Sequence, residues 1–104
     1  MSTAADLDRD TILAVLRGLE PALRKRGITH LAIFGSRARG DARPDSDLDV
    51  LVDADSERHF SLFDLLGVQH IIQDTIGIET QATLRIDLDQ RMSQRIADDL
   101  IRVF

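Results

Sequence analysis

Residues 35–52 read GSRARGDARPDSDLDVLV, and this stretch carries the clearest structural signal in the chain. A Gly-Ser pair is followed, after ten residues, by Asp47 and Asp49, and an apolar run comes directly after them. Successive side chains of a strand point to opposite faces, so the two carboxylates share one face while Leu48 and Val50 enter the core. The pattern predicts a tight turn able to hold phosphate oxygens, set ahead of a strand that presents two carboxylates together.

The length and composition of the chain limit what surrounds this stretch. With 104 residues, we expect residues 1–104 to form a single domain with one core. The sequence contains no cysteine, which excludes disulfides and thiolate nucleophiles. No run approaches the roughly 20 apolar residues that a membrane-spanning helix needs. We therefore expect a cytoplasmic protein that makes no membrane contact.

The charge of the chain bears on its ligands. A net charge of −5 disfavours extended binding to nucleic acid, which depends on neutralising phosphates with Lys and Arg. Arg37, Arg39 and Arg43 nevertheless cluster beside the Gly-Ser pair. Such a local group of arginines is suited to a short phosphate chain, and Arg37 is the strongest candidate because it is nearest the turn. Solvated surface charge is about as good an interpretation of the three.

Apolar spacing predicts the remaining elements. They are, in chain order, a helix from Asp8 to Gly27, a strand over 29–34, a short helical turn over 37–40, a strand over 48–52, a helix from Ser61 to Gly77, a strand over 78–83 and a last helix carrying Leu88, Met92, Ile96, Leu100 and Val103, with Asp87 as its N-cap. Pro21 should kink the first helix or divide it in two. Asp53 is expected to begin a loop. The order indicates an α/β (α+β) domain, with a small mixed sheet flanked by helices.

The turn and the carboxylates together suggest one chemistry. Asp47 and Asp49 repel each other unless a cation joins them, and Mg²⁺ prefers such oxygen ligands and completes its shell with waters and substrate phosphates. Gly35 allows the backbone to approach a ligand closely, and the Ser36 hydroxyl with neighbouring amides can donate to phosphate oxygens. The Gly-Ser turn and the two carboxylates together predict a site for a nucleoside triphosphate with magnesium.

The string GSRARGDARPDSDLDV resembles the signature of the DNA polymerase β-type nucleotidyltransferase superfamily, in the form found in the minimal nucleotidyltransferases of prokaryotes. The spacing from Gly35-Ser36 to Asp47 and Asp49 matches that signature without a gap, and the predicted order of elements follows the family over nearly the whole chain. The resemblance implies a two-ion Mg²⁺ site on Asp47 and Asp49. It also implies that Ser36 holds the triphosphate of ATP and that AMP passes to an acceptor hydroxyl with loss of pyrophosphate.

The resemblance further implies a third carboxylate on the next core strand. Glu79 has suitable parity in the predicted third strand and is the candidate catalytic base and metal ligand. A register two residues further on would place Gln81 there instead, in which case nucleotide binding could survive without efficient transfer. These two alternatives stay open on the sequence alone.

Three functions follow for comparison. The first is an adenylyltransferase acting on a hydroxyl of a partner protein. Members of the family that this sequence resembles are commonly paired with a HEPN-type toxin and serve as its antitoxin. The second is a catalytically degenerate module that binds and masks that partner without transfer. The third, transfer to a small molecule such as an aminoglycoside, is weaker because a chain of 104 residues has no further domain to build an acceptor pocket. The apolar C-terminal residues Ile101, Val103 and Phe104 are compatible with the interface of a homo-oligomer and equally with a frayed end.

Overall fold

The computed structural model describes residues 7–104, which form a mixed sheet with helices on both faces. The elements are α1 (Arg9–Gly18), α2 (Glu20–Lys25), β1 (Ile28–Phe34), α3 (Ser36–Arg39), β2 (Leu48–Ala54), α4 (Leu62–Ile76), β3 (Thr80–Leu84), a 3₁₀ turn (Arg85–Asp87), α5 (Gln90–Ala97) and β4 (Ile101–Arg102). The strands lie in the order β3-β2-β1-β4. β1 is antiparallel to both β2 and β4, whereas β2 and β3 are parallel. The predicted fold class is confirmed.

The two faces of the sheet are covered unequally. One face carries the main apolar cluster, which joins alternate residues of β1 and β2, including Ile33 and Val50, to residues of α1, α2 and α4. The other face carries a smaller cluster in which Ile96 of α5 packs on Ala32 and Leu51. Since Asp47 and Asp49 alternate with the residues of the main cluster, they lie on the α5 side of the sheet. The thinly covered face is thus the one that presents the carboxylates.

Proline and capping residues set the helix boundaries. Pro21 lies in the first turn of α2, where its missing N–H is no loss, and the predicted first helix is divided into α1 and α2. Ser61 begins α4 with a capping box, because its side chain accepts from the Asp64 amide while Asp64 accepts from the Ser61 amide. Gly77 ends α4 at a φ of 76°. The predicted helix from Ser61 to Gly77 is confirmed.

The predicted last helix was wrong at both ends. Asp89, and not Asp87, is its N-cap, accepting a hydrogen bond of 2.7 Å from the Met92 amide. The helix stops at Ala97 because two aspartates follow, and negative charge is unfavourable at a helix C-terminus. The chain then turns back to form β4, in which Ile101 pairs with Ile33 of β1.

Two strand boundaries also differ from the prediction. β2 extends to Ala54, so Asp53 belongs to the strand and does not begin a loop. Its carboxylate accepts from Nε of Arg85 at 3.0 Å, and this ion pair ties the end of β2 to the turn after β3. β3 begins at Thr80 rather than Ile78.

Two glutamines of α4 cover the outer edge of β3. Oε1 of Gln73 accepts from the Thr80 amide at 3.1 Å, and Oε1 of Gln69 accepts from the Ala82 amide at 2.9 Å. These amides point away from β2, so the side chains replace the partner strand that an edge lacks. In the part of the chain from residue 7 onward, no helix is long and apolar enough to cross a membrane.

Candidate nucleotide and metal site

The Gly-Ser turn connects β1 to α3. Gly35 has a φ of 76° and a ψ of −159°, a conformation that L side chains rarely adopt, and its carbonyl accepts from the amides of Ala38 at 3.1 Å and Arg39 at 3.0 Å. Ser36 is the first residue of α3, so its hydroxyl lies at the start of the helical turn. Gly40 ends that turn in the left-handed region, with a φ of 88°.

Asp49 lies against this turn. It is the register partner of Phe34, the residue that precedes Gly35, across the antiparallel pair of β1 and β2. A Cβ atom placed on Gly35 would lie 2.5 Å from Oδ2 of Asp49, which is closer than any real contact of that kind. Only glycine therefore fits at position 35 while Asp49 keeps its place. The structure brings the two halves of the sequence signature into contact.

The electrostatics of the carboxylates favour a bound cation. Burial raises the pKa of Asp49, the negative charge of Asp47 raises it further, and Arg39 opposes the shift. Asp49 is partly buried and Asp47 is exposed at the mouth of β2. Mg²⁺ in nucleotide sites takes one or two carboxylates and completes its octahedron with waters and phosphate oxygens. The donor set of Asp47 and Asp49 fits that requirement.

Arg39 extends the site toward α5. Its Nη1 donates to Oδ2 of Asp99 at 2.8 Å, and its Nε donates to Oδ2 of Asp41 at 3.2 Å. These two carboxylates raise the pKa of the Arg39 guanidinium, which stays charged. Because Arg39 also lowers the pKa of Asp49, its charge lies within reach of the same site. The contact of Arg39 with phosphate stays a prediction.

Arg37 has a different environment from the one that we predicted. Its side chain is only 4% exposed, and its guanidinium donates to the carbonyl of Ser46 at 2.8 Å and to that of Pro44 at 3.4 Å. These bonds fasten the loop that leads into Asp47. We therefore infer that Arg37 positions this loop, and its contact with phosphate stays a prediction. Arg43 is exposed at the loop surface.

The register of β3 determines which residue lies where the third carboxylate was expected. Gln81 pairs with Asp49 in the parallel ladder, so the two side chains lie next to each other on one face. Glu79 comes just before β3, where its carbonyl accepts from the Leu48 amide at 2.8 Å. Continuing the ladder by one residue places Glu79 level with Asp47, with an exposed side chain.

The candidate carboxylates do not form one cluster. Within residues 7–104, no group of three or more His, Asp or Glu side chains is close enough together to hold a metal ion. Asp47 and Asp49 thus lie together on β2, and Glu79 remains a candidate that the geometry does not join to them. The uncharged Gln81 occupies the place beside Asp49.

The contribution of α5 was missed by the sequence analysis. A cavity of about 350 Å³ lies between the Gly-Ser turn and α5, and its lining includes Gly35, Arg39, Arg95 and Asp99. The Arg39 to Asp99 pair joins residues 60 positions apart. No local spacing could have revealed it, since the predicted last helix ran through Asp99 without marking its carboxylate.

Comparison with known proteins identifies relatives of this arrangement. The sequence pattern of the nucleotidyltransferase domain family matches residues 16–103. The protein adenylyltransferase MntA of Thermococcus cleftensis is 27% identical over 100 residues, covering 95% of this chain and 99% of the relative.

Solved structures are similar as well. One assigned as a minimal nucleotidyltransferase has a TM-score of 0.77 at 27% identity, covering 92% of this chain and 96% of the other. Another contains a tri-AMPylated HEPN toxin of Shewanella oneidensis in complex with its MNT antitoxin. It has a TM-score of 0.63 at 10% identity, covering 88% of this chain and 71% of the other, and at that identity it shows a shared fold alone.

Proposed function

The chain belongs to the nucleotidyltransferase domain family, and we propose that it transfers AMP from ATP, with Mg²⁺, to a hydroxyl of a partner protein. The single observation that carries the proposal is the contact between Gly35 of the turn and Asp49 of β2, which sets a phosphate-binding turn against two carboxylates. The relative from Thermococcus cleftensis, a protein adenylyltransferase similar over nearly its full length, supports the choice of AMP and of a protein acceptor.

The residues of this chain divide the work. Asp47 and Asp49 would hold two Mg²⁺ ions, which when bound lower the pKa of the acceptor hydroxyl and neutralise charge on the phosphates. The Gly35 backbone, the Ser36 hydroxyl and Arg39 bind and orient the triphosphate. The acceptor oxygen forms a bond to the α-phosphorus, the bond from that phosphorus to the β-phosphate oxygen breaks, and pyrophosphate leaves.

The proton of the acceptor hydroxyl needs a base. We propose Glu79, which would also be a metal ligand, because it is the carboxylate of the neighbouring strand region and lies level with Asp47. Its position one step away from Asp49 makes it a poorer base than a carboxylate at position 81 would be. Transfer by this chain should therefore be slow.

We further propose a HEPN-type toxin as the partner, with this chain as its antitoxin in the cytoplasm. The support is the similar fold of the MNT antitoxin that is bound to a tri-AMPylated HEPN toxin of Shewanella oneidensis. The net charge of −5 agrees with a protein acceptor better than with extended nucleic acid.

One observation favours a second function. Gln81 lies beside Asp49, and an amide can neither take the hydroxyl proton nor neutralise a second metal ion. On that basis the alternative is a module that binds and masks its partner, with or without nucleotide, and performs no transfer.

A mass measurement separates the two functions. The chain and Mg-ATP are incubated with the product of a neighbouring gene as the candidate partner, and the intact mass of that partner is recorded. A gain of one or more adenylyl groups that is lost in Asp49→Ala, and kept in Asp45→Ala at an exposed loop position, supports transfer. An unchanged mass with a stable complex supports the masking module, and an unchanged mass without a complex overturns both.

A further inference from the structure

A cavity joins the Gly-Ser turn to α5, a helix with no role in the signature motif. The cavity measures about 350 Å³, within the range of small-molecule sites. Gly35 and Arg39 line its turn side, and Met92, Arg95 and Asp99 line the side of α5 and the residues after it. Because a Cβ on Gly35 would meet Asp49, the cavity begins beside the carboxylates.

The charges that line this cavity differ in their pairing. Arg39 is held by Asp41 and Asp99 through ion pairs of 3.2 and 2.8 Å. Arg95, in the last turn of α5, is exposed and makes no hydrogen bond or ion pair with any other residue in the range 7–104. Since Asp41 and Asp99 neutralise the charge of Arg39, the charge of Arg95 is the one in the lining that has no counter-ion among residues 7–104. Arg95 therefore has the capacity to bind an incoming anion.

The chemistry of the lining favours phosphate over a nucleobase. Phe34, the aromatic residue in the lining, packs against the apolar cluster of Ala32, Leu51 and Ile96. Two guanidinium groups present forked donors that match phosphate oxygens. Gly35, which lies against Asp49, lines one side of the cavity and Arg95 lines the side of α5, so the α5 side suits the phosphates beyond the reacting α-phosphate.

We propose that Arg95, which lies across the cavity from the Gly-Ser turn, binds the β- and γ-phosphates of the nucleotide and so adds a contact from α5 to the triphosphate subsite. This inference rests on the proposed function, since it assigns a further residue to the same site.

Calorimetric titration tests the proposal without any transfer reaction. ATP, AMP and inorganic pyrophosphate, each with Mg²⁺, are titrated into the wild-type chain, Arg95→Ala and Arg95→Lys. We expect Arg95→Ala to weaken ATP and pyrophosphate by about tenfold, a typical loss for one charge-assisted contact at a partly solvated site, while AMP stays within about twofold. Arg95→Lys should recover part of the loss, because it keeps the charge and loses the forked geometry.

The control is Arg102→Ala, which removes an equivalent charge from β4, next to a different cavity. Its affinities should match the wild type, and the urea midpoint of Arg95→Ala should be unchanged because the side chain is exposed. Equal weakening of ATP and AMP would assign the cavity to the nucleoside and overturn the proposal, as would no change for either, or no binding of ATP to the wild type. If the chain transfers no AMP but binds pyrophosphate in a way that depends on Arg95, the phosphate contact of Arg95 stands and only the transferase function is rejected.

Discussion

Gln81 of β3 and Asp49 of β2 are register partners in the parallel ladder, and their side chains project from the same face of the sheet. Neighbouring strands are about 4.8 Å apart, so a carboxylate at position 81 would lie beside that of Asp49. The Gln81 amide has nearly the volume of a glutamate carboxylate, but it lacks the negative charge and the basic oxygen. We therefore expect the rate of transfer to depend on one side chain outside the signature motif.

The first prediction follows from this pair. Gln81→Glu should raise the rate of adenylyl transfer at least about tenfold, a fraction of the ~10²–10⁴ that a positioned base contributes. Gln81→Ala should leave the rate near that of the wild type, since the amide supplies no base. Single-turnover incorporation of AMP into the partner gives the rates, and Mn²⁺ titration should show tighter metal binding by Gln81→Glu. A rate unchanged by Gln81→Glu would contradict the prediction.

Glu79 gives a second prediction, which tests the proposed base. Glu79→Gln should lower the residual transfer rate by about 10²-fold while the affinity for ATP changes little, because the group acts on the acceptor proton. Glu57→Gln, at an exposed position in the loop after β2, is the matched control and should keep the full rate. Full activity of Glu79→Gln would remove Glu79 from the site.

Gly35 gives a third prediction, about stability and metal binding together. Gly35→Ala forces an L side chain to a φ of 76° and against Oδ2 of Asp49, and should cost about 1–2 kcal/mol of unfolding free energy. The displaced Asp49 should also weaken binding of Mn²⁺. Gly18→Ala, in a helical position with open space around it, should instead stabilise the chain by about 0.5–1 kcal/mol. Urea unfolding of both variants decides, and a neutral Gly35→Ala would refute the close contact.

Arg37 gives the fourth prediction. Arg37→Ala removes buried hydrogen bonds to the carbonyls of Ser46 and Pro44, and should lower the unfolding free energy by about 2–3 kcal/mol. Arg43→Ala, exposed in the same loop, should stay within about 0.5 kcal/mol of the wild type. If instead Arg37→Ala were fully stable and lost only its affinity for ATP, Arg37 would contact phosphate as first predicted.

The raised pKa of Asp49 gives the fifth prediction, about pH. Burial and the charge of Asp47 make the folded chain hold the Asp49 proton more tightly than the unfolded chain does. As pH rises from the ordinary carboxyl value through the raised one, the unfolded state ionises first and the folded state loses stability. Asp49→Asn lacks this loss, so in metal-free buffer its stability relative to the wild type should increase over that interval. A stability difference that is constant with pH would show that Asp49 has an ordinary pKa when folded.

Most of the secondary structure could be predicted because helix caps and turns are determined by residues that are close together in the sequence. The capping box of Ser61 and Asp64 and the left-handed Gly77 fix α4 within its own sequence. The prediction of the last helix failed because Leu100 and Val103 continue a helical spacing. The strand that the chain forms there instead depends on contacts with residues far away in the sequence. Val103 donates to the carbonyl of Leu31 at 2.8 Å, and that bond to β1 draws the C-terminus into the sheet.

The closeness of Gly35 to Asp49 could be predicted to the same extent, because both lie in one segment whose spacing carries the information. The position of residue 81 beside residue 49 depends on strand register. A register shift of two residues keeps the same alternation of buried and exposed side chains, so the hydrophobic pattern does not determine it. The burial of Arg37 could not be predicted, because proximity in sequence to the turn does not reveal that its side chain lies under the loop.

The glutamines that cover β3 have a consequence for assembly. An edge strand with open amides invites another chain to extend the sheet, and so promotes aggregation or strand addition by a ligand. Gln69 and Gln73 occupy the outward amides of Ala82 and Thr80, so this edge offers no template to an incoming strand. A protein that docks beside Gln81 must therefore recognise side chains and surface shape, and it leaves the backbone ladder of the sheet unextended.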